Sequence, residues 1–297
     1  VCYKPFYGYK CKKKEVNTGL FEVKSVSLLE KSCLSSLKWF TMAVKCFINP
    51  KCESPLVKAL TDGLCTEFDR KGTVIFQNRR NVIKSFVLAD GQTLVVKRFR
   101  VKGWLNTCLR MFARSKARKA YENGLLLERA GIGTPAPVAC VEQWNGRVPV
   151  CSYYVCAFTP DITIQPLLES ERPDERMVDA FAALMAHMHE QGIVHHDLNL
   201  SNVLYREENG TYRLSVIDIN RVTMKKRGEL TLSDSKDDFM RFTGRLDVFL
   251  AVAYSYARLR GWDAERFVRK QTAKKIRHDA QWTRRKKIHH FFHHGFC

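Results

Sequence analysis

The stretch Ile193-Val194-His195-His196-Asp197-Leu198-Asn199-Leu200-Ser201-Asn202-Val203-Leu204 restricts this chain more than any other part of it. It sets an Asp and, five residues later, an Asn inside an apolar frame, so polar groups are carried by a segment that packs. Fourteen residues after Leu204, Val216-Ile217-Asp218 puts a second carboxylate at the end of a short β-like run. Upstream, Val95-Val96-Lys97 ends an N-terminal strand on a lysine. Taken singly these are ordinary: a capped loop accounts for Asp197 and Asn202, and a strand-end lysine is usually solvated. The ordered set is far more specific.

The set suits phosphoryl transfer, which asks little covalent chemistry of a protein. It needs a cation on the phosphates, a divalent metal on hard oxygen ligands and a carboxylate near the acceptor hydroxyl. Lys97 supplies the first. Asn202 and Asp218 offer oxygens of the kind Mg²⁺ prefers. Asp197 is the residue to accept or orient the acceptor proton.

Charge narrows the partners. Fifty Lys and Arg against 30 Asp and Glu leave a formal +20, which calls for an anionic partner unless the surface is simply basic. The charge is clustered. Lys97 to Lys119 holds nine cations and no acid, with Leu105, Leu109 and Phe112 at helical spacing beside Trp104 and Met111. Such a segment is either a solvated basic helix or one that docks on an anionic bilayer. Arg269 to Lys287 holds nine more cations and one acid, Asp279. The four histidines of the tail, His289, His290, His293 and His294, stand at metal-binding spacing if helical, though a tail resting on headgroups is preferred. Nucleic acid is disfavoured, because no nucleic-acid-binding signature accompanies the basic residues.

Eleven cysteines without a Cys-x-x-Cys argue for reduced thiols, mostly small core hydrophobes, in a reducing compartment. No run reaches the roughly 18 apolar residues of a membrane span. No secretory signal is visible, so a cytoplasmic protein is expected. Residues 1–41, with eight Lys, three Glu and no sustained period, are expected to be a disordered extension or a mis-assigned start.

From Gly72 the pattern predicts strands. Thr73–Gln77, Val82–Leu88 and Thr93–Val96 are three β-rich runs, separated by the turn Asn78-Arg79-Arg80-Asn81 and by Asp90-Gly91. A helix opened by Ser115 or a neighbour passes through Tyr121-Glu122 and stops at Gly131. Val138–Glu142 and Val148–Phe158 form a further hairpin, giving five strands in the first half. The second half turns helical, with one helix from Pro173-Asp174 to Gly192, another around Arg245 to Arg260, and then the basic tail.

These residues resemble a protein-kinase-like fold, and more narrowly the lipopolysaccharide core kinase family, the Kdo and heptose kinases of the WaaP/InaA type. The resemblance rests on Val95-Val96-Lys97, on Tyr121-Glu122 leading to Gly131-Ile132-Gly133-Thr134-Pro135, and on Tyr153-Tyr154-Val155. His189 through Leu204 and Val216-Ile217-Asp218-Ile219-Asn220-Arg221 complete it, so that it covers about Gly72 to Arg260. It implies an α+β, two-lobed fold, with a small nucleotide-binding lobe of five antiparallel strands over residues 42–158 and a mainly helical catalytic lobe over 159–297. Further implications are ATP and Mg²⁺ as cofactors and a lipopolysaccharide core glycolipid as acceptor, with no obligate protein partner evident. The location implied is cytoplasmic and peripheral at a bacterial inner membrane.

The resemblance also implies roles. Lys97 would contact the α- and β-phosphates and Glu122, before Glu128, would hold Lys97 by an ion pair. Asp197 would be the base, and Asn202 and Asp218 would hold Mg²⁺. The backbone from Phe158 to Asp161 would meet adenine. His195 and His189 would be packed, bracing histidines. Arg79 and Arg80 replace a Gly-rich phosphate loop and either touch phosphates or stay solvated. His196 and Asn199 depart from the protein-kinase pattern, Asp218-Ile219-Asn220 replaces Asp-Phe-Gly, and no Ala-Pro-Glu follows. These departures favour a small-molecule or glycolipid acceptor over a protein kinase. The intact set of Lys97, Asp197, Asn202 and Asp218 counts against a non-catalytic nucleotide- or lipid-binding module.

Overall fold

The computed structural model describes residues 42–78, 81–100, 114–146, 148–226, 236–242 and 244–294. The expectations for residues 1–41, for Arg79 and Arg80, and for the basic helix over 101–113 fall outside them.

The first half is a six-stranded antiparallel sheet, not a five-stranded one. Its strands are β1 (Met42–Ile48), β2 (Thr73–Gln77), β3 (Asn81–Val87), β4 (Thr93–Arg100), β5 (Pro137–Asn145) and β6 (Val148–Ala157), in the order β1-β5-β6-β4-β3-β2. The extra strand pairs along its whole length with β5, Ile48 against Ala139 and Met42 against Asn145. An unexpected helix, α1 (Pro55–Glu67), follows it, with Ser54 accepting from the Val57 amide and Pro55 opening the first turn.

Period-two alternation decides what each sheet face does. Val82, Lys84, Phe86, Leu94, Val96 and Arg98 are buried, packing with Val57, Leu64 and Phe68 of α1 and the residue after it. Two of these are charged, and both are paired at the C-terminal end of α1, although Arg98 Nε has no hydrogen bond among the described residues. Lys84 Nζ donates to the carbonyls of Phe68 (2.6 Å) and Lys71 (2.9 Å), where the helix end is electronegative. Arg98 grips Asp69 through two nitrogens at 2.8 and 2.9 Å. The alternate residues Ile83, Val95 and Lys97 remain half-buried on the opposite face.

Helix α2 (Lys116–Arg129) is capped by Ser115, which accepts from the Arg118 amide. It ends at Gly131, whose φ of 70° suits glycine. Two residues on, the Val216 amide donates to the Gly133 carbonyl at 2.8 Å, and a side chain at Gly133 would run into the Leu214 carbonyl. This close approach ties the sheet half to the helical half.

The helical half begins with β7 (Ile162–Thr163), α3 (Gln165–Leu168) and α4 (Glu175–Glu190). Asp174 caps α4 by accepting from the Met177 amide at 3.1 Å, and Met177, Phe181, Met185 and Met188, on one face of the helix, are fully buried in the core. Next come β8 (Ile193–Val194), β9 (Val203–Glu208), β10 (Thr211–Val216) and β11 (Thr223–Met224). The hairpin β9–β10 turns on Asn209-Gly210, both at positive φ. The short β-like run expected before Asp218 is thus strand, as far as Val216, and it is paired with β9. Helices α5 (Lys236–Arg241), α6 (Leu246–Leu259) and α7 (Ala264–His294) complete the chain, so the basic tail is helical.

Six cysteines among the described residues are free thiols, and of these only Cys140 is fully buried. Among the described residues no helix is long and apolar enough to cross a membrane.

Candidate active site

Lys97 lies within β4, three residues before its end, not at the end itself. The strand continues because Arg98 and Phe99 are both buried, Arg98 on the α1 side. Alternation then turns Lys97 to the other face, where its Nζ donates to Asp218 Oδ1 at 2.7 Å. The Lys97 side chain is 15% exposed and that of Asp218 33%, so the pair is shielded but reachable.

Asp218 adopts a left-handed φ of 60°, uncommon for a non-glycine residue, and Asn220 Nδ2 donates to the same Oδ1 at 2.6 Å. Burial by itself raises this carboxyl; the Lys97 charge and hydrogen bond, with His195 and Arg221 nearby, bring it below its ordinary value. Its Oδ2 takes no hydrogen bond among the described residues.

Asp197, Asn199 and Asn202 come from the loop after β8. Asn199 caps a short 3₁₀ turn, Leu200–Asn202, by accepting from the Ser201 amide at 3.0 Å. Asn202 Nδ2 donates to the Asp197 carbonyl at 2.9 Å, which leaves Oδ1 as its free atom. The Ile217 amide donates to the Asn202 carbonyl at 2.9 Å and so sets Asn202 beside the residue preceding Asp218. Asn202 Oδ1 and Asp218 Oδ2 are two neutral or anionic hard oxygens on joined segments, which fits Mg²⁺ carried in with a nucleotide. Among the described residues there is no group of three His, Cys, Asp or Glu suited to a metal. A nucleotide-borne Mg²⁺ does not need one, since phosphates and waters complete its shell.

Both bracing histidines are packed as expected, and both lead to Asp238 on α5. His189 is 1% exposed, with Nδ1 2.8 Å from the Tyr256 hydroxyl and Nε2 3.2 Å from Asp238 Oδ2. Asp238 is fully buried and accepts the backbone amides of His195 (3.0 Å) and His196 (2.6 Å), the two residues before Asp197. Burial raises the Asp238 carboxyl; the His189 hydrogen bond and charge, with the His195 amide, hold it below its ordinary value.

The expected ion pair between Glu122 and Lys97 is not formed. Glu122 takes Arg118 at 2.7 Å, one turn back on its own helix, and Arg114 at 2.8 Å. Two guanidiniums close in sequence occupy the carboxylate, so Lys97 turns to Asp218. Its helix neighbour Asn123 has a role no motif announced: Nδ2 donates to the carbonyls of Ile219 (2.7 Å) and Val222 (3.2 Å). The turn after Asp218 is thereby pinned to α2. Phe158 lies just past β6, which was expected to include it; it is half-exposed, and its amide is engaged by the Thr93 carbonyl at 3.1 Å.

Asp238, Tyr256 and Asn123 were missed by sequence reasoning, because each acts across more than 40 residues and carries no local motif. Arg221 was quoted but given no role; it stands 3.6 Å from Asp197 Oδ2.

Residues 71–246, more than half of the chain, match the model of the Lipopolysaccharide kinase (Kdo/WaaP) family. The chain belongs to that family. It is a phosphotransferase, a lipopolysaccharide kinase. A solved structure of WaaP in complex with acyl carrier protein is 20% identical, with a TM-score of 0.55, over 79% of this chain and 99% of that one. This likeness bears on the fold, which is protein-kinase-like. A Rio2 kinase-ADP/Mg²⁺-phosphoaspartate complex from Chaetomium thermophilum is 17% identical, with a TM-score of 0.43, over 85% of each chain. No curated protein matches.

Proposed function

We propose that this lipopolysaccharide kinase transfers the γ-phosphoryl group of ATP to a sugar hydroxyl, of Kdo or heptose, in the lipopolysaccharide inner core. The observation that carries this reading is the 2.7 Å Lys97–Asp218 pair facing a loop that holds Asp197 and Asn202. Lys97 binds the α- and β-phosphates. Asp197 orients the acceptor hydroxyl and takes its proton as the new O–P bond forms and the bond to the β-phosphate oxygen breaks. Asn202 and Asp218 hold Mg²⁺, which when bound neutralises charge on the phosphates. The backbone around Phe158 lies along adenine, and Arg79 and Arg80 occupy the turn that replaces a Gly-rich loop.

The acceptor is a membrane glycolipid, so the enzyme works at the cytoplasmic face of the inner membrane. Exposed Arg266, Arg269, Lys270 and Arg277 along α7 support attraction to anionic headgroups. No obligate protein partner is proposed; co-purification with acyl carrier protein, the molecule held by WaaP in its solved complex, would revise that.

The test is transfer from γ-labelled ATP, with Mg²⁺, to rough lipopolysaccharide or Kdo-lipid A, with Asp197→Ala as control. Label on the glycolipid that disappears in the variant is expected. Label only on polypeptide would move the reading to a protein kinase, and ATP binding without transfer to a binding module.

A further inference from the structure

Arg221 is the one arginine that an ion pair joins to Asp197 among the described residues. Its Nη1 lies 3.6 Å from Asp197 Oδ2, and it is also among the cations that act on Asp218. The position is held by the backbone. Arg221 ends the 3₁₀ turn Ile219–Arg221; Ile219, which opens the turn, and Val222, which follows it, are 2% and 7% exposed. Both of those carbonyls are clamped by Asn123 from α2. The side chain, by contrast, is 53% exposed, so most of its donors face solvent at the mouth of the site.

This placement needs a reason. The phosphate side of the site already has Lys97. Asp197 marks the opposite side, where the acceptor hydroxyl enters. A guanidinium there presents a planar fork of donors matched to a carboxylate or phosphate.

We propose that Arg221 binds an anionic group of the acceptor next to the reacting hydroxyl, and so selects an acceptor that carries a negative charge there over one that does not. The inference rests on the glycolipid-kinase reading above. The anion is either the carboxylate of a sugar acid or a phosphate on an adjoining sugar, and the two have the same chemistry at Arg221.

The experiment measures kcat and KM for three acceptors: Kdo-lipid A, the same lipid with its Kdo carboxyls reduced to alcohols, and the same lipid stripped of its phosphates. Wild type, Arg221→Ala and Arg221→Lys are compared. Loss of a charge-assisted bidentate contact is expected to lower kcat/KM on the intact lipid roughly 10- to 100-fold, chiefly through KM. Arg221→Lys should recover part of this. Wild type should lose comparable efficiency on the lipid missing the recognised anion, and Arg221→Ala should no longer distinguish that lipid from the intact one. The lipid whose removal of charge produces this collapse identifies the source of the anion. Discrimination that persists unchanged in Arg221→Ala overturns the proposal, as does an equal fall on all three lipids through kcat alone, which would make Arg221 a partner of Asp197 only. Failure of wild type to phosphorylate any of the lipids is a different result, and it removes the underlying reading as well.

Discussion

His195 Nε2 stands 3.1 Å from the carbonyl oxygen of Ile217, so the residue two before Asp197 is bonded to the residue just before Asp218. The carbonyl only accepts, so Nε2 carries the proton. The other ring nitrogen, Nδ1, is buried and has no partner among the described residues. The ring is therefore neutral, and burial lowers its pKa below the usual histidine value against the pull of Asp238. The two halves of the proposed site are tied by a ring whose protonation would keep this bond but bury a charge.

A pH prediction follows from the sign of this shift. The unfolded chain takes up a proton near pH 6.5 while the folded His195 resists it, so the unfolded state binds more protons below that pH. Stability should fall as pH drops from about 6.5, by at most about 1.4 kcal/mol per pH unit for this one group. Asp238 has the same sign in a lower window, since its depressed carboxyl stabilises above about pH 4 and ceases to as pH falls further. Urea midpoints between pH 7.5 and 5 check the upper window. His195→Gln should flatten the slope there; an equal slope in wild type and variant would contradict the assignment.

Asp238→Asn is expected to be costly out of proportion to its size. One Asp238 oxygen faces the His196 amide and the other faces the His195 amide and His189. An amide in its place must point a donor at one of those donors, within a site that is fully buried. A loss of about 3 to 5 kcal/mol is expected, as for a broken buried charged network. Guanidinium unfolding gives the number, and a shift below about 1 kcal/mol would mean that the loop does not depend on Asp238.

Lys97→Met and Asp218→Asn should each remove most phosphotransferase activity, and the double variant should be little worse than either. Residues that act as a unit are non-additive, and the 2.7 Å contact makes these two a unit. Multiplicative losses in kcat would show that they work independently. Glu122→Gln should cost much less activity, because Glu122 is held by Arg114 and Arg118 and not by Lys97.

Much of this site was legible in the sequence because its spacings are local. Asp197 to Asn202 is one loop, and its capping bonds span two to five residues. The strands carrying Lys97 announced themselves by alternation and by Asp90-Gly91. Strand β1 did not, since five of its seven residues are exposed and its partner β5 is some 90 residues away. Asn209-Gly210 was a readable hairpin signal that the surrounding motif overshadowed. The partner of Glu122 was misjudged because a helix position has neighbours one turn away on its own chain. Arg118 reaches it without any tertiary contact.

His196 offers the last test, since it precedes Asp197 and its backbone is at a φ of 62°, in the left-handed region. For a residue with a Cβ that conformation costs about 1 kcal/mol or more. The ring offsets the cost: Nδ1 lies 3.1 Å from Asp237 and Nε2 2.6 Å from the Thr223 hydroxyl, joining α5 to β11 across Asp197. Two variants separate backbone from ring. His196→Ala keeps the strain and loses both contacts, while His196→Gly loses the contacts and the strain together. Gly should therefore be more stable than Ala by about 1 kcal/mol, despite its greater unfolded-state freedom. Both should lower kcat by roughly tenfold through a less firmly held Asp197. If Ala proves the more stable variant, the left-handed backbone at this position carries no strain worth relieving; if kcat is unchanged in both, the ring does not position Asp197.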